Sequence, residues 1–232
     1  MQFLFTLPKL KAGLSEKARD VIYMASLAER LAEEQRKRVA HPSGRPENVS
    51  EHCLMLVKVG VALAQKYYPE LDAGKVAQYA ACHDDIEAYV GDTPTGEWCN
   101  TDYEAKESIE AMGLTQLEQD FSKLFPAYVE TVKTYECQED AESRFVRMLD
   151  KVLVMAIQVT DSGQEASKNF TKQSLISNEQ HGFDKHKDAY TDWREILDLK
   201  LEVAEYVAKH LLNNKMSTYS PGGRGPTSTL RC

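Results

Sequence analysis

The run Ser50–Tyr67 is the strongest constraint on what this chain can become. Read as a helix, it is apolar nearly all round, and only Glu51, Lys58 and Gln65, spaced seven apart, form a polar stripe. A helix with so narrow a wet face is covered by neighbours on most sides, which places it centrally in a helical bundle. His52 shares the inward side with Met55, Leu56, Val59 and Leu63. A lone inward histidine is more often a hydrogen-bonded core residue than a ligand, so its meaning depends on what else the chain sends inward.

The rest of the chain repeats the helical period. Ser15 opens a helix to about Arg38, with Val21, Met24, Leu27, Ala28 and Leu31 as its stripe, and His41–Pro46 breaks it. Ser50 is the expected N-cap of the central helix. A third helix runs from Ala73 to the His83-Asp84 pair. Helices over Asp102–Met112 and Thr115–Phe125 are expected to be separated by Gly113 and stopped by Pro126. Helices follow over Pro126–Tyr135, Glu139–Thr160, Ser162–Ser174 and Asp192–Leu212, while His181–His186, with its glycine and charges, reads as an exposed loop. No stretch alternates as a strand of useful length. The expectation is all-α, a single helical bundle over residues 15–212, after an arm (1–14) and before a tail (213–232). That tail is rich in Gly, Pro, Ser and Thr and is expected to be disordered.

Among the 232 residues, 36 acidic against 28 basic side chains give a formal charge of −8. That balance argues against a nucleic-acid polymer or an anionic membrane as partner. No apolar stretch reaches the roughly 20 residues that span a bilayer. The start, Met1–Lys9, lacks the basic region and cleavage site of a signal peptide. Five cysteines, an odd number with no CxxC spacing, fit reduced thiols and a cytoplasmic location.

The chemistry concentrates in Cys82–Thr95, where His83, Asp84, Asp85, Glu87 and Asp92 follow an apolar helical run. Adjacent His83 and Asp84 can present a nitrogen and an oxygen to one ion, and on a continuing helix Glu87 returns to their side. Asp150 has Val146, Leu153 and Val154 among its helical neighbours, so its carboxylate lies near the core and needs compensation. A salt bridge to Arg147 is the bland account, and a metal is the sharper one. His52, His83, Asp84 and Asp150 together supply two nitrogen and two oxygen donors. Such a set suits Mn, Co, Fe, Ni or Zn better than Ca. Cys82, in an apolar helix, reads as packed and inert rather than nucleophilic.

The order His52, His83-Asp84, Asp150 resembles the signature of the HD-domain phosphohydrolases. Arg45-Pro46-Glu47-Asn48-Val49-Ser50-Glu51-His52 is similar to the R-x-E-N-V-S-E-H block of the bacterial 5′-deoxynucleotidase subfamily, and His83–Thr95 to its H-D-x-x-E-x-x-x-G-D-x-P-T block. The resemblance implies an all-helical enzyme, often a homodimer. It would remove the 5′-phosphate of deoxyribonucleoside monophosphates with one divalent ion, commonly cobalt or manganese, with magnesium another choice. It further implies that His52, His83, Asp84 and Asp150 hold the ion and that Glu87 is the general base or acid. Arg45 and the residues Asp92, Thr93, Pro94 and Thr95 would contact the nucleotide, with Asp92 near the sugar. The subfamily's upstream Arg-Trp pair is absent. Arg36-Lys37-Arg38-Val39 stands in that region, with Arg38 the first candidate for orienting phosphate and Arg36 and Lys37 its competitors. Other readings are an HD-type triphosphohydrolase, an alarmone hydrolase, or a non-catalytic nucleotide-binding helical protein. The first would recruit Arg144, Arg147 and Lys151, which read first as a solvated face. The second is disfavoured by Ala88 after Glu87, and the third by the intact ligand set.

Overall fold

The computed structural model describes residues 3–93 and 103–212, without the side chains of Arg38 and Tyr103; the expected tail lies outside the described residues. Helix α1, Glu16–Glu33, starts where the Ser15 hydroxyl accepts the Ala18 N–H at 3.3 Å. It stops five residues short of the expected end. Gln35–Ala40 instead forms a strand, β1, paired antiparallel with β2, Pro46–Asn48. Gln, Arg and Lys are good helix formers, so local propensity is overridden here by a partner strand beyond the turn. Val39 gains burial in the core from the change. Of the stripe assigned to α1, Leu27 and Leu31 are buried, whereas Val21 is exposed.

Helix α2, Val49–Tyr67, begins with a capping box. Asn48 Oδ1 accepts the Glu51 N–H at 2.9 Å, and Glu51 Oε2 accepts the Asn48 N–H at 3.1 Å. The cap is therefore Asn48 and not Ser50, whose hydroxyl donates to Ala28 O at 3.1 Å and ties α2 to α1. Helices α3 (Ala73–Cys82), α4 (Glu87–Val90), α5 (Tyr103–Phe121), α6 (Pro126–Cys137) and α7 (Ala141–Thr160) follow. Then come α8 (Gln164–Asn169), α9 (Lys172–His186), a 3-10 turn at Thr191–Trp193, α10 (Arg194–Tyr206) and a π turn at Val207–Leu211. The segment His181–His186, expected as a loop, continues α9, with Phe183 buried against the main core.

Helix α2 separates two apolar cores, which is why it is apolar on so many sides. Leu56 and Ala64 join α3, α6, α7 and α10 through Val76, Tyr135, Leu149 and Ile196. Val49 and Cys53 join α1, α4, α5 and α6 through Leu27, Tyr89, Phe121 and Val129. The N-terminal arm enters this second core at Phe5, whose ring centroid is 5.2 Å from that of Tyr89. A third cluster holds Met155 of α7 against Ala166, Leu175 and Ala204 of α8, α9 and α10. Among the described residues, no helix is long and apolar enough to cross a membrane.

Gly113 is not a break between helices; it lies inside α5 where α4 crosses it. A Cβ there would stand 2.7 Å from Ile86 Cγ2 and 3.0 Å from Val90 Cγ1. In an open helix Gly→Ala stabilises by about 1 kcal/mol, but overpacking of this kind costs about 1–3 kcal/mol. Gly113→Ala is therefore expected to lower the thermal midpoint, and a higher midpoint would show that α4 can yield.

Glu51 also pairs with Arg45 at 2.7 Å, and that hydrogen bond leads the forces holding its carboxyl at about 2, below its ordinary 4.5. Because the folded value is depressed, this stabilisation is full above the unfolded value and fades as pH falls toward 2. Glu51→Ala is expected to cost about 1 kcal/mol at neutral pH. The gap from wild type in urea unfolding should narrow on acidification below the ordinary carboxylate range; a constant gap would assign the loss to packing.

Candidate metal centre

Four side chains from three elements converge behind β1. His52 lies in the first turn of α2, fully buried. Asp150 sits midway along α7, and His83-Asp84 follows the last residue of α3. His52 Nε2 is 2.8 Å from Asp150 Oδ1 and 4.0 Å from Asp84 Oδ2. His83 Nε2 is 3.0 Å from Asp84 Oδ2 and 3.9 Å from Asp150 Oδ1. Donor atoms bonded at about 2.1 Å to one ion stand at most about twice that apart, so these separations fit a shared cation.

The imidazoles are aimed from behind. His83 Nδ1 faces Ala80 O at 3.0 Å, which makes it the N–H donor and leaves Nε2, buried and without a hydrogen-bond partner, toward the carboxylates. Behind His52, Nδ1 is 3.3 Å from Glu47 Oε1. Both Glu47 oxygens are buried outside hydrogen-bond geometry. Glu47 is a neighbour of the cluster that residue type and spacing did not single out. Its place inside the Arg45–His52 block was visible, but its orientation toward the ring was not.

The electrostatics ask for positive charge. Burial alone would raise Asp150, yet the Lys151 ammonium, 3.5 Å away, and His52 hold it well below the usual carboxylate range. The expected alternative of an Arg147 bridge does not form, since Arg147 pairs with Glu136 at 3.2 Å. Burial would lower His83, but the neighbouring Asp84 carboxylate raises it well above an ordinary imidazole. Burial also pushes Asp84 upward, and His83, His52 and Arg36 outweigh it, leaving an anion. A proton on the imidazole or a divalent ion would meet the same demand. Two nitrogens and two oxygens, with an orphaned imidazole Nε2 among them, fit a borderline divalent metal. Cys53 Sγ faces the other side of His83 at 3.7 Å from Nδ1, and burial pushes its thiol upward, so it backs the ring rather than serving as a thiolate ligand.

Glu87 arrives by a route other than the expected continuous helix. Helix α3 ends at Cys82, and the chain turns tightly through Asp85 N–H to Cys82 O (3.1 Å) and Glu87 N–H to Asp84 O (2.9 Å) before α4 begins. These shorter steps still bring Glu87 beside Asp84. Burial raises its pKa, and the Asp84 and Asp92 charges add to the rise, so its protonated form is favoured. Glu87 Oε2 is buried without a partner.

Around these groups lies a cavity of about 180 Å³. Asp92 and Thr93 line it, while Pro94 and Thr95 lie outside the described residues. Asp92 also pins β1, accepting the Lys37 N–H at 3.2 Å. The arginine at the centre is Arg36, with Nη1 3.5 Å from Asp84 Oδ2 and Nε 3.6 Å from Glu47 Oε1. The side chain of Arg38, the first candidate, lies outside the described ones. Arg45 is not brought to the cavity: it is half-exposed and paired with Glu51. Arg147 and Lys151, read as a solvated face, line the cavity, whereas Arg144 turns away to Asp192 at 2.6 Å. Among the described residues, no second group of carboxylates and imidazoles gathers at His181–His186.

The HD domain family matches this chain over residues 28–189. A curated relative from Citrobacter koseri, named 5′-deoxynucleotidase, is 32% identical over 124 residues, 47% of this chain. The match spans 62% of that relative's length. A solved structure from Magnetospirillum magnetotacticum, titled a predicted metal-dependent phosphohydrolase, shares the fold with a TM-score of 0.57 at 19% identity. The match covers 82% of this chain and 98% of that one.

Loss of a carboxylate behind a metal-binding histidine commonly weakens binding by about 10–100-fold. Calorimetric titration with Mn²⁺ is expected to show a drop of that size for Glu47→Gln and no saturable site for Asp150→Asn, both with wild-type helical circular dichroism. Wild-type affinity in Asp150→Asn would dismiss the cluster as a metal centre.

Proposed function

The chain belongs to the HD domain family, and from that premise we propose that it is a metal-dependent phosphomonoesterase that removes the 5′-phosphate of deoxyribonucleoside monophosphates. The observation that carries the proposal is the meeting of His52, His83, Asp84 and Asp150 beside a buried, partnerless Glu87 oxygen. His52, His83, Asp84 and Asp150 would hold the ion, with cobalt and manganese the first to test. A divalent ion there polarises a phosphoryl oxygen and acidifies water.

The chain's own residues supply the remainder. Arg36, between Glu47 and Asp84, would present its guanidinium to the phosphoryl oxygens. Lys151 adds a second positive charge beside Asp150. Glu87, whose carboxyl burial and the flanking Asp84 and Asp92 charges push upward, can give a proton to the departing sugar oxygen and recover one from the attacking water. Asp92 and Thr93 form the rim toward the sugar. The buried free thiols of Cys53 and Cys82 suit a reducing compartment, the cytoplasm.

A triphosphate substrate is less well matched. Arg147, Lys106 and Lys151 do line the cavity, but they are engaged by Glu136, Glu110 and Asp150. A longer polyanion would have to compete with all of these pairs, whereas a monoester calls on Arg36, Lys151 and the ion alone.

The test is a panel of deoxy- and ribonucleoside mono-, di- and triphosphates with Mn²⁺, Co²⁺, Mg²⁺ or EDTA, scoring phosphate, pyrophosphate and tripolyphosphate. Phosphate from deoxynucleoside monophosphates, abolished by EDTA, is expected; tripolyphosphate release would shift the reading to a triphosphohydrolase. Glu87→Gln is expected to lower kcat by about 10²–10⁴ while retaining Mn²⁺. Full turnover in that variant would remove Glu87 from the chemistry.

A further inference from the structure

The cavity at the metal centre has a neighbour. A second chamber of about 180 Å³ lies between α7, α8, α9 and α10, and Arg36, Val39, Asp150 and Lys151 wall both. Neither chamber alone reaches the ~300 Å³ of an ordinary small-molecule site, but the two together do. The second chamber differs in chemistry. Its inner charged groups are paired off, with Lys200 Nζ 2.7 Å from Glu179 Oε2, and the exposed Lys37, which lines both chambers, donates to Asp92 O at 3.3 Å. The rest of the lining is apolar, with Phe170 its one aromatic ring beside Val154 and Met155, or made of the neutral amides Gln158, Asn169 and Asn178. Gln158 is 6% exposed, and its Oε1 is buried with no hydrogen-bond partner. The Asn178 and Asn169 amides are by contrast already bonded, to Glu179 Oε1 at 2.8 Å and to Glu165 O at 3.0 Å.

A buried amide oxygen without a partner is costly in a folded protein and calls for a donor that completes it. The occupant must be uncharged, flat enough for an aromatic wall, and edged with donors and acceptors. Those are the properties of a nucleobase, which stacks on aromatic rings and bonds amides at its edge. We propose that this chamber is the nucleobase subsite of the enzyme, with Gln158 bonding the base edge and Phe170 its face. The phosphate would then lie at the metal centre, and β1 would stand beside the sugar between the two chambers. The assignment deepens the proposed nucleotidase reading and rests on it.

The test compares deoxynucleoside 5′-monophosphates with 2-deoxyribose 5-phosphate, which lacks a base, on the Mn²⁺-loaded protein. Gln158→Leu and Phe170→Leu are each expected to raise KM for the nucleotides on the order of tenfold and to leave deoxyribose 5-phosphate unchanged. Gln158→Leu should keep or raise the thermal midpoint, because it removes an unpartnered amide. Equal losses on both substrates, or a fall in midpoint, would mark Gln158 as structural, and no change on either would empty the chamber of a role; each overturns the proposal. If wild type hydrolyses neither substrate, the nucleotidase reading fails by itself. Calorimetric binding of the monophosphates then decides the subsite: weakening by both variants supports it, and unchanged or absent binding overturns it.

Discussion

Everything near the centre of this molecule answers to two carboxylates, Asp84 and Asp150, held close to two imidazoles and largely out of water. Buried anions of this kind are tolerated only where cationic charge and fixed donors surround them. The protein supplies both. Arg36 and Lys151 stand within 3.5 Å of the two carboxylates, and His52 and His83 fill the space between. Parts of the cluster are supported from behind: His83 Nδ1 faces Ala80 O, Glu47 lies against His52, and Asp150 is carried by α7.

The scaffold explains how such a cluster is kept. Helix α2 lies between two apolar cores and brings His52 to their junction, while Cys53, the next residue, packs into the second core behind His83. The tight turn after α3 then does two jobs. It ends a buried helix at the pair that must face inward, and it redirects the chain so that Glu87 starts α4 beside the cluster. Gly113 lets α5 lie against α4, so the position of Glu87 depends on a contact in which it takes no share.

Much of the site was legible in one dimension. His52, His83, Asp84 and Asp150 lie on helices or at a helix end, where a period of 3.6 residues shows which side chains turn inward. Glu87 was reachable too, since one tight turn and one helical turn return a side chain to nearly the same side. Arg36 was harder. Reading 35–40 as helix hides the strand that carries Arg36 to the cavity, and Arg45 stood out merely because it sits in a motif. Arg147 and Lys151 were assigned to solvent by a helical stripe that cannot show a cavity opening beside it. Phe183 and its neighbours looked like loop because glycine and charge dominate locally, while the core contact that keeps α9 helical lies elsewhere in the chain.

The amino-acid sequence by itself determined the helical class, the central place of α2 and which four side chains turn inward to meet, because each follows from residue type and helical spacing within a short window. Tertiary structure decided that β1 is a strand, that Arg36 rather than Arg45 meets Asp84, and that α8 to α10 build a second chamber against the first. Those outcomes depend on partners far apart along the chain: a strand needs another strand for its hydrogen bonds, and a cavity exists only once its walls have met.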